Sequence, residues 1–245
     1  MHHLGQTRST TQATHSLHTP DTFVRTPLPG MERATAIIHA SPAIGARFLQ
    51  YTAELEPGGV LGSTQHQRFV YVVEGEVSVV IGGVAKSLKT GGYAYLPASS
   101  TAGQVSAPGK ARIAVIEKAY EPLAGVAAPE AFASDENTVQ SQPLNGDEDL
   151  MVRSLLPAST AFDFAVNTMT YQPGAALSMV EIHVMEHGLL MLQGGGIYRL
   201  GDSWYAVEKG DFIWMAAYCP QWFGALGKVP AKYLIYKDWN RSPAL

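Results

Sequence analysis

From about residue 34 onward, short runs of Val, Ile, Leu, Tyr and Phe alternate with Gly, Pro, Asn or Asp at intervals of about ten residues. Half-buried strands joined by tight turns produce this pattern, and it predicts an antiparallel sandwich or barrel. Helix signals are nearly absent. Residues 68–80 read RFVYVVEGEVSVV, with Glu74, Gly75 and Glu76 interrupting two β-branched runs, which predicts a hairpin. Residues 77–81 and 84–88, separated by Gly82-Gly83, predict a second. Between about 119 and 145 the periodicity fails. Pro122, Pro129 and the polar run SDENTVQSQPLNGDED predict a linker there.

The strand pattern occurs twice. YVVEGEVSVVIGG around Gly75 has a counterpart in LMLQGGGIYRLGD around Gly194, and TGGYAYLPA around Gly91 matches KGDFIWMAA around Gly210. Gly194 follows Gly75 by 119 positions, and Gly210 follows Gly91 by the same 119. A shared offset across two segments predicts two copies of one small β-barrel. The expected organisation is a mobile polar arm over 1–14, a first barrel over 15–120, a linker over 121–147 and a second barrel over 148–245.

Composition narrows the function classes. At 245 residues and 46% hydrophobic, with mean hydropathy +0.01, the chain can bury a sizeable core. A net charge of −4 without long like-charge runs argues against nucleic-acid or anionic-membrane partners. No window approaches the roughly 20 apolar residues of a spanning helix, and the first fifteen residues lack the apolar stretch of a secretory signal, so a cytoplasmic location is expected. The single cysteine, Cys219, excludes an internal disulfide and a thiolate metal cage. Any metal here must suit nitrogen and oxygen ligands. The long apolar strands and the segment up to about residue 30 suggest a homo-oligomer.

The candidate chemistry lies in the second copy. Gly174 is followed by Glu181, His183, His187 and Gly194, and later by Gly210, Ala216, Tyr218 and Gln221. Residues two apart in a strand share a face, so Glu181 and His183 point the same way, and His187 can face them from a neighbouring strand. Such a mixed imidazole and carboxylate set suits Mn²⁺ or Fe²⁺. His183 and His187 could instead share a helical face, but the flanking LSMV and the glycine-rich stretch 188–196 disfavour a helix. Shifting the four donors back by 119 gives Gly62, Thr64, Arg68 and Ala102, so the first barrel is expected to be metal-free. His66 maps onto Met185 and is expected at the surface or in packing. All four tryptophans fall in the second copy, which fits either a more aromatic pocket or core filling. Glu186 points away from the ligands, and Cys219 has the opposite parity to Gln221 and no nearby base in sequence. Neither is expected to react.

The glycine and donor spacing resembles the cupin superfamily, with G-x5-H-x-H-x3,4-E-x6-G as first motif and G-x5-P-x-G-x2-H-x3-N as second. In this chain Glu181 takes the first histidine's place, His183 keeps the second, His187 stands at the glutamate and Gln221 at the last histidine. That permutation resembles the bicupin (S)-ureidoglycine aminohydrolase family of purine and allantoin degradation. The resemblance extends through LHTPDTFVRTPLPGMERATAIIHASPAIGARF, VEIHVMEHG and IYKDWNR, over roughly residues 17 to 242. It implies an all-β chain of two tandem cupin (double-stranded β-helix, jelly-roll) barrels with one metal site, in the second. The implied ligands are Glu181, His183, His187 and Gln221, and the implied metal is Mn²⁺, with Fe²⁺ as the other candidate. The implied reaction turns (S)-ureidoglycine and water into (S)-ureidoglycolate and ammonia. Tyr233 and Lys237, four apart in the predicted last strand, would enter the substrate pocket, Lys237 facing the substrate carboxylate. Tyr198 has the inward parity of Gly194 and Gly196 and joins them. Glu181 could serve both the metal and the substrate's amine or a proton. Two alternatives remain: a non-catalytic metabolite-binding bicupin, and a metal-dependent oxygenase or isomerase, the oxygenase disfavoured by Gln221.

Overall fold

A computed structural model describes residues 6–98 and 105–241; Ala102 of the expected first-barrel set lies outside the described residues. The chain forms two compact units. Almost all its regular structure is strand, and each unit is an antiparallel β-barrel of the cupin type. No helix among the described residues is long and apolar enough to cross a membrane.

One unit comprises residues 24–139 and 156–163. Its longest strand, Leu49–Val60, pairs with Glu32–Ala40 and with Ala111–Lys118, which in turn pairs with Gln67–Glu74. Alternate residues Val70 and Val72, Val77 and Val79, and Ile113 and Val115 are fully buried in a common core, as a half-buried strand requires. The second predicted hairpin is present: Glu76–Ile81 pairs with Val84–Lys89 across Gly82 and Gly83, whose φ values of 60° and 80° only glycine adopts without strain.

The first predicted hairpin is not. Gln67–Glu74 pairs with Gly92–Leu96 and Ala111–Lys118, whereas Glu76–Ile81 pairs with Val84–Lys89 and Val105–Ser106. Gly75 (φ 83°) is a corner at which the chain changes pairing partners, and a Cβ there would lie 2.3 Å from the Lys110 carbonyl oxygen. Gly194 (φ 62°) makes the same corner, where a Cβ would lie 2.5 Å from the Pro230 carbonyl oxygen. Strand, corner and strand therefore look like a hairpin in sequence.

The other unit holds the described residues of 1–23, 140–155 and 164–245. Its larger sheet runs Thr10–Thr11, His15–His18, Phe212–Met215, His187–Gln193, Ala231–Asp238, Phe164–Tyr171, Asp147–Ser154 and Gln142–Leu144. Its smaller sheet runs Ser203–Glu208, Gly195–Leu200 and Gln221–Ala225. Leu189, Met191, Tyr171, Tyr198, Phe223 and Tyr233 belong to its core.

The units divide the chain differently from the expected boundaries. Residues 1–5 of the expected arm lie outside the described residues, but Thr10–Thr11 pairs with His15–His18, which adds to the edge strand Phe212–Met215. Arg8 donates to Asp211 Oδ1 at 3.0 Å and to Glu208 Oε1 at 2.9 Å, fixing that polar segment by charge rather than by apolar burial. Within the expected linker, Phe132–Asp135 pairs with Gly92–Leu96 of the first barrel, and Gln142–Leu144 pairs with Asp147–Ser154 of the second. Residues 156–163 return to the first unit, where buried Asp163 accepts from Lys118 Nζ and Gln67 Nε2, both at 2.7 Å. Edge strands and polar anchors carry no apolar period, so a sequence pattern reads them as linker.

Candidate metal centre and substrate cavity

The second barrel encloses a cavity of about 200 Å³. Glu181, His183, His187, Tyr198, Gln221, Tyr233 and Lys237 all line it. Glu181 and Gln221 face each other as an antiparallel pair that exchanges both backbone bonds, at 2.8 and 2.9 Å. The His183 carbonyl accepts from the Tyr218 amide at 2.8 Å, holding the irregular segment against the same loop. His187 opens the strand His187–Gln193 and sits opposite Lys237 in register.

Their side chains converge. His183 Nε2 lies 3.2 Å from His187 Nε2, 2.9 Å from the Gln221 amide nitrogen and 4.0 Å from Glu181 Oε2. His187 Nδ1 donates to the Tyr236 carbonyl at 3.0 Å, which fixes the tautomer and leaves a lone pair on Nε2 facing His183. Burial, then the neighbouring His183 and Lys237, push the His187 imidazole down to about 3, so it is neutral and free to ligate. His183 Nδ1 is buried with no hydrogen-bond partner among the described residues.

A cation satisfies this donor set better than the protein alone does. The two histidine nitrogens, 3.2 Å apart, are close enough for one cation to be bound by both at a usual metal–nitrogen distance of about 2.1 Å. The Gln221 amide, turned over, presents its oxygen and leaves its –NH₂ to the Tyr198 hydroxyl, now 3.2 Å from Oε1. Glu181 stands slightly back, and no cluster of three His, Cys, Asp or Glu side chains closes to metal-binding distance among the described residues. Glu181 Oε2 is 4.0 Å from His183 Nε2, which makes Glu181 the third such side chain that the site offers. The residues present therefore fit a divalent cation bound through nitrogen and oxygen.

The rest of the wall grades from polar to apolar. Tyr233 and Tyr198 are fully buried, and burial lifts both phenols well above the ordinary tyrosine value. The Tyr233 hydroxyl is held at 2.7 Å by that of Tyr171, a positioning partner the sequence did not suggest. Lys237 Nζ sits 4.4 Å from the centre of the Trp239 ring and forms no ion pair among the described residues. Burial lowers its affinity for a proton, while Glu181 opposes that shift. Asn167, Met169, Leu177 and Met185 complete much of the lining, with Leu144 contributed from the expected linker. A solitary Asn in the run FAVNTMTY was the available signal for Asn167.

Other candidates lie elsewhere. None of the four tryptophans lines the cavity: Trp214 donates to buried Glu186 at 2.7 Å, Trp204 and Trp222 meet edge to face, and Trp239 lies against Lys237. Cys219 is buried among apolar side chains and its thiol is pushed up by burial, which makes it inert. His66 is exposed.

The first barrel fills the corresponding place with an ion pair. Glu117 stands opposite Arg68 in register, as Lys237 stands opposite His187. Arg68 Nε and Nη2 reach Glu117 Oε1 at 2.8 and 2.7 Å, Arg68 Nη1 donates to the Gly62 carbonyl at 2.8 Å, and the Tyr51 and Thr64 hydroxyls complete the carboxylate's shell at 2.9 and 3.2 Å. A guanidinium thus occupies the position where the second barrel offers an imidazole lone pair.

Comparison with known proteins gives the same class. Residues 44–120 match the EutQ-like cupin domain model and residues 167–236 the cupin domain model, so the chain is a bicupin, a group whose members commonly bind a metal. The chain is 39% identical over 244 residues to the (S)-ureidoglycine aminohydrolase of Arabidopsis thaliana, covering 98% of this chain and 80% of the relative. It is 32% identical over 232 residues to the protein of the same name from Escherichia coli (strain K12), covering 92% and 88%. Among solved structures, that of protein Ylba from E. coli superposes with a TM-score of 0.87 at 28% identity, covering 99% of this chain and 98% of the other. Relatives this similar over nearly the whole of this chain and at least 80% of their own length establish membership: the chain belongs to the (S)-ureidoglycine aminohydrolase family.

Proposed function

We propose that this protein hydrolyses (S)-ureidoglycine to (S)-ureidoglycolate and ammonia, a step in purine and allantoin degradation. The observation that carries the reading is the convergence of Glu181, His183, His187 and Gln221 in one cavity with Lys237. These residues would hold Mn²⁺, for which Fe²⁺ is the alternative. The bound cation would orient the substrate and neutralise charge that develops during C–N cleavage.

Lys237 binds the substrate carboxylate. It is a partly buried ammonium with no protein counter-ion among the described residues, so an anionic ligand recovers a charge-assisted hydrogen bond in a mostly apolar wall. Tyr233, its hydroxyl fixed by Tyr171, orients the same end of the ligand. Glu181, half-exposed at the mouth, receives the proton that moves between attacking water and departing amine. Buried Tyr198 steadies Gln221.

Ammonia release from freshly generated ureidoglycine, followed with and without Mn²⁺ and corrected for spontaneous decay, tests the reading. The metal-loaded protein should release ammonia and yield the S product, and Glu181→Gln should abolish turnover, since it keeps shape and an oxygen donor but loses the charge and the proton site. Decay at the spontaneous rate with the fully loaded protein would overturn it.

A further inference from the structure

We infer that Asn167 reads the ureido end of the substrate through a two-point amide pairing. The inference rests on the function proposed above and adds the group that distinguishes a ureide from any other small α-amino acid derivative. A substrate with a carboxylate, an amine and a ureido group on one carbon needs three recognisers. Lys237 answers the carboxylate and Glu181 the amine. A ureido group offers a carbonyl acceptor beside N–H donors in one plane, and a primary carboxamide is its complement.

The wall leaves one such group unused. Asn167 lines the cavity and is 8% exposed, and its amide makes no hydrogen bond to protein among the described residues. The Gln221 amide already meets His183 and Tyr198 at the metal end. The Tyr233 hydroxyl is engaged by Tyr171. Met169, Leu177 and Ile235 offer no comparable polar pairing.

Strand register sets the placement. On Phe164–Tyr171, Asn167 lies opposite Ile235, flanked on its own face by Ala165 opposite Lys237 and by Met169 opposite Tyr233. Directly opposed side chains on an antiparallel pair are about 5 Å apart and diagonal ones about 7–8 Å. Asn167 is therefore diagonal to both Lys237 and Tyr233, a distance that a small ligand held at its carboxylate by Lys237 can span. It stands in the interior of a paired strand, so its position is fixed rather than adjustable, as discrimination by hydrogen bonding requires.

The test uses two unreactive ligands that share the carboxylate and lack the α-amine: N-carbamoylglycine, which keeps the ureido group, and N-acetylglycine, which replaces its terminal –NH₂ by methyl. Their dissociation constants are measured by calorimetry on the Mn²⁺-loaded protein, on Asn167→Leu, and on Asn167→Ser as a smaller change should the first fail to fold. The wild type should prefer N-carbamoylglycine by about tenfold, the cost of leaving one buried amide acceptor unpaired. Both variants should bring the ratio to within about twofold by weakening N-carbamoylglycine, which loses two bonds, more than N-acetylglycine, which loses one; they should leave metal content unchanged and raise KM more than they lower kcat. A preference that survives in the variants, or is absent from a wild type that turns over ureidoglycine, overturns the role of Asn167 alone. Failure of the loaded wild type both to bind either ligand and to release ammonia overturns the proposed function, and the Asn167 assignment with it.

Discussion

Replacing Arg68 with Ala should destabilise the first barrel severely while leaving the metal of the second in place. Arg68 is 4% exposed and Glu117 8%, and the pair is joined at 2.7 and 2.8 Å. Removing the guanidinium leaves a buried carboxylate with, among the described residues, the Tyr51 and Thr64 hydroxyls as donors, at 2.9 and 3.2 Å. Breaking a buried pair from one side costs about 3–5 kcal/mol, because the surviving charge keeps its desolvation penalty and loses its partner. At about 2–4 °C per kcal/mol for a chain of this size, the first thermal transition should fall by roughly 10 °C. The double variant Arg68→Met with Glu117→Leu removes both charges and should recover most of that loss, since an apolar pair of similar volume is often neutral. Calorimetric melts of the metal-loaded protein, with elemental analysis of the folded fraction, read both effects. A single variant melting within about 2 °C of wild type, or a double variant less stable than the single, would refute the reasoning.

Three further outcomes are expected. Lys237→Met should retain the metal and raise KM for ureidoglycine by roughly ten- to a hundredfold, the worth of one charge-assisted hydrogen bond, in steady-state kinetics. The metal-loaded protein should carry about one transition metal per chain by elemental analysis, and His183→Ala or His187→Ala should lose it on dialysis. In metal-free protein, stability should fall as pH drops from 6.5 toward 3, with a slope of up to about 1.4 kcal/mol per unit. The sign follows from His187, which stays neutral in the fold down to about 3 while its unfolded counterpart takes up a proton near the ordinary 6.5. Denaturant melts across that range check it, and His187→Gln should flatten the slope.

That Glu181, His183, His187 and Gln221 come together was legible in their spacing, and they line one cavity. Gln221 lies where a backbone pair brings it opposite Glu181, but that contact is an isolated bridge and His183 sits in irregular chain, not on the strand face that the alternation predicts. The hairpin at Gly82-Gly83 was legible because a two-residue turn with two successive positive φ values favours glycine. The corners at Gly75 and Gly194 use the same residue for a different purpose, close approach to a carbonyl oxygen, so only the pairing partners separate corner from hairpin. Phe132–Asp135 and residues 156–163 were hidden for the opposite reason: edge pairing and the buried Asp163 anchor hold them, and neither leaves an apolar period.

The relation between the barrels shows most clearly why register mattered. The corner and the hairpin repeat at an offset of 119, since Glu76–Ile81 corresponds to Gly195–Leu200 and Val84–Lys89 to Ser203–Glu208. The last strands, Ala111–Lys118 and Ala231–Asp238, repeat at 120. One residue enters in between, and one residue exchanges the two faces of a strand. At an offset of 119, Lys237 would map onto Lys118, suggesting that both barrels keep a lysine for the same task. By register, Lys118 pairs with Gln67 and its ammonium binds Asp163, while the residue opposite Arg68 is Glu117. Each barrel thus places one cationic group at this point of its interior. In the first it is Arg68, neutralised within the fold by Glu117. In the second it is Lys237, without a counter-ion from the protein among the described residues, beside a neutral imidazole. The same two positions that close one barrel with a salt bridge leave the other with both a lone pair for a cation and a charge for an anion.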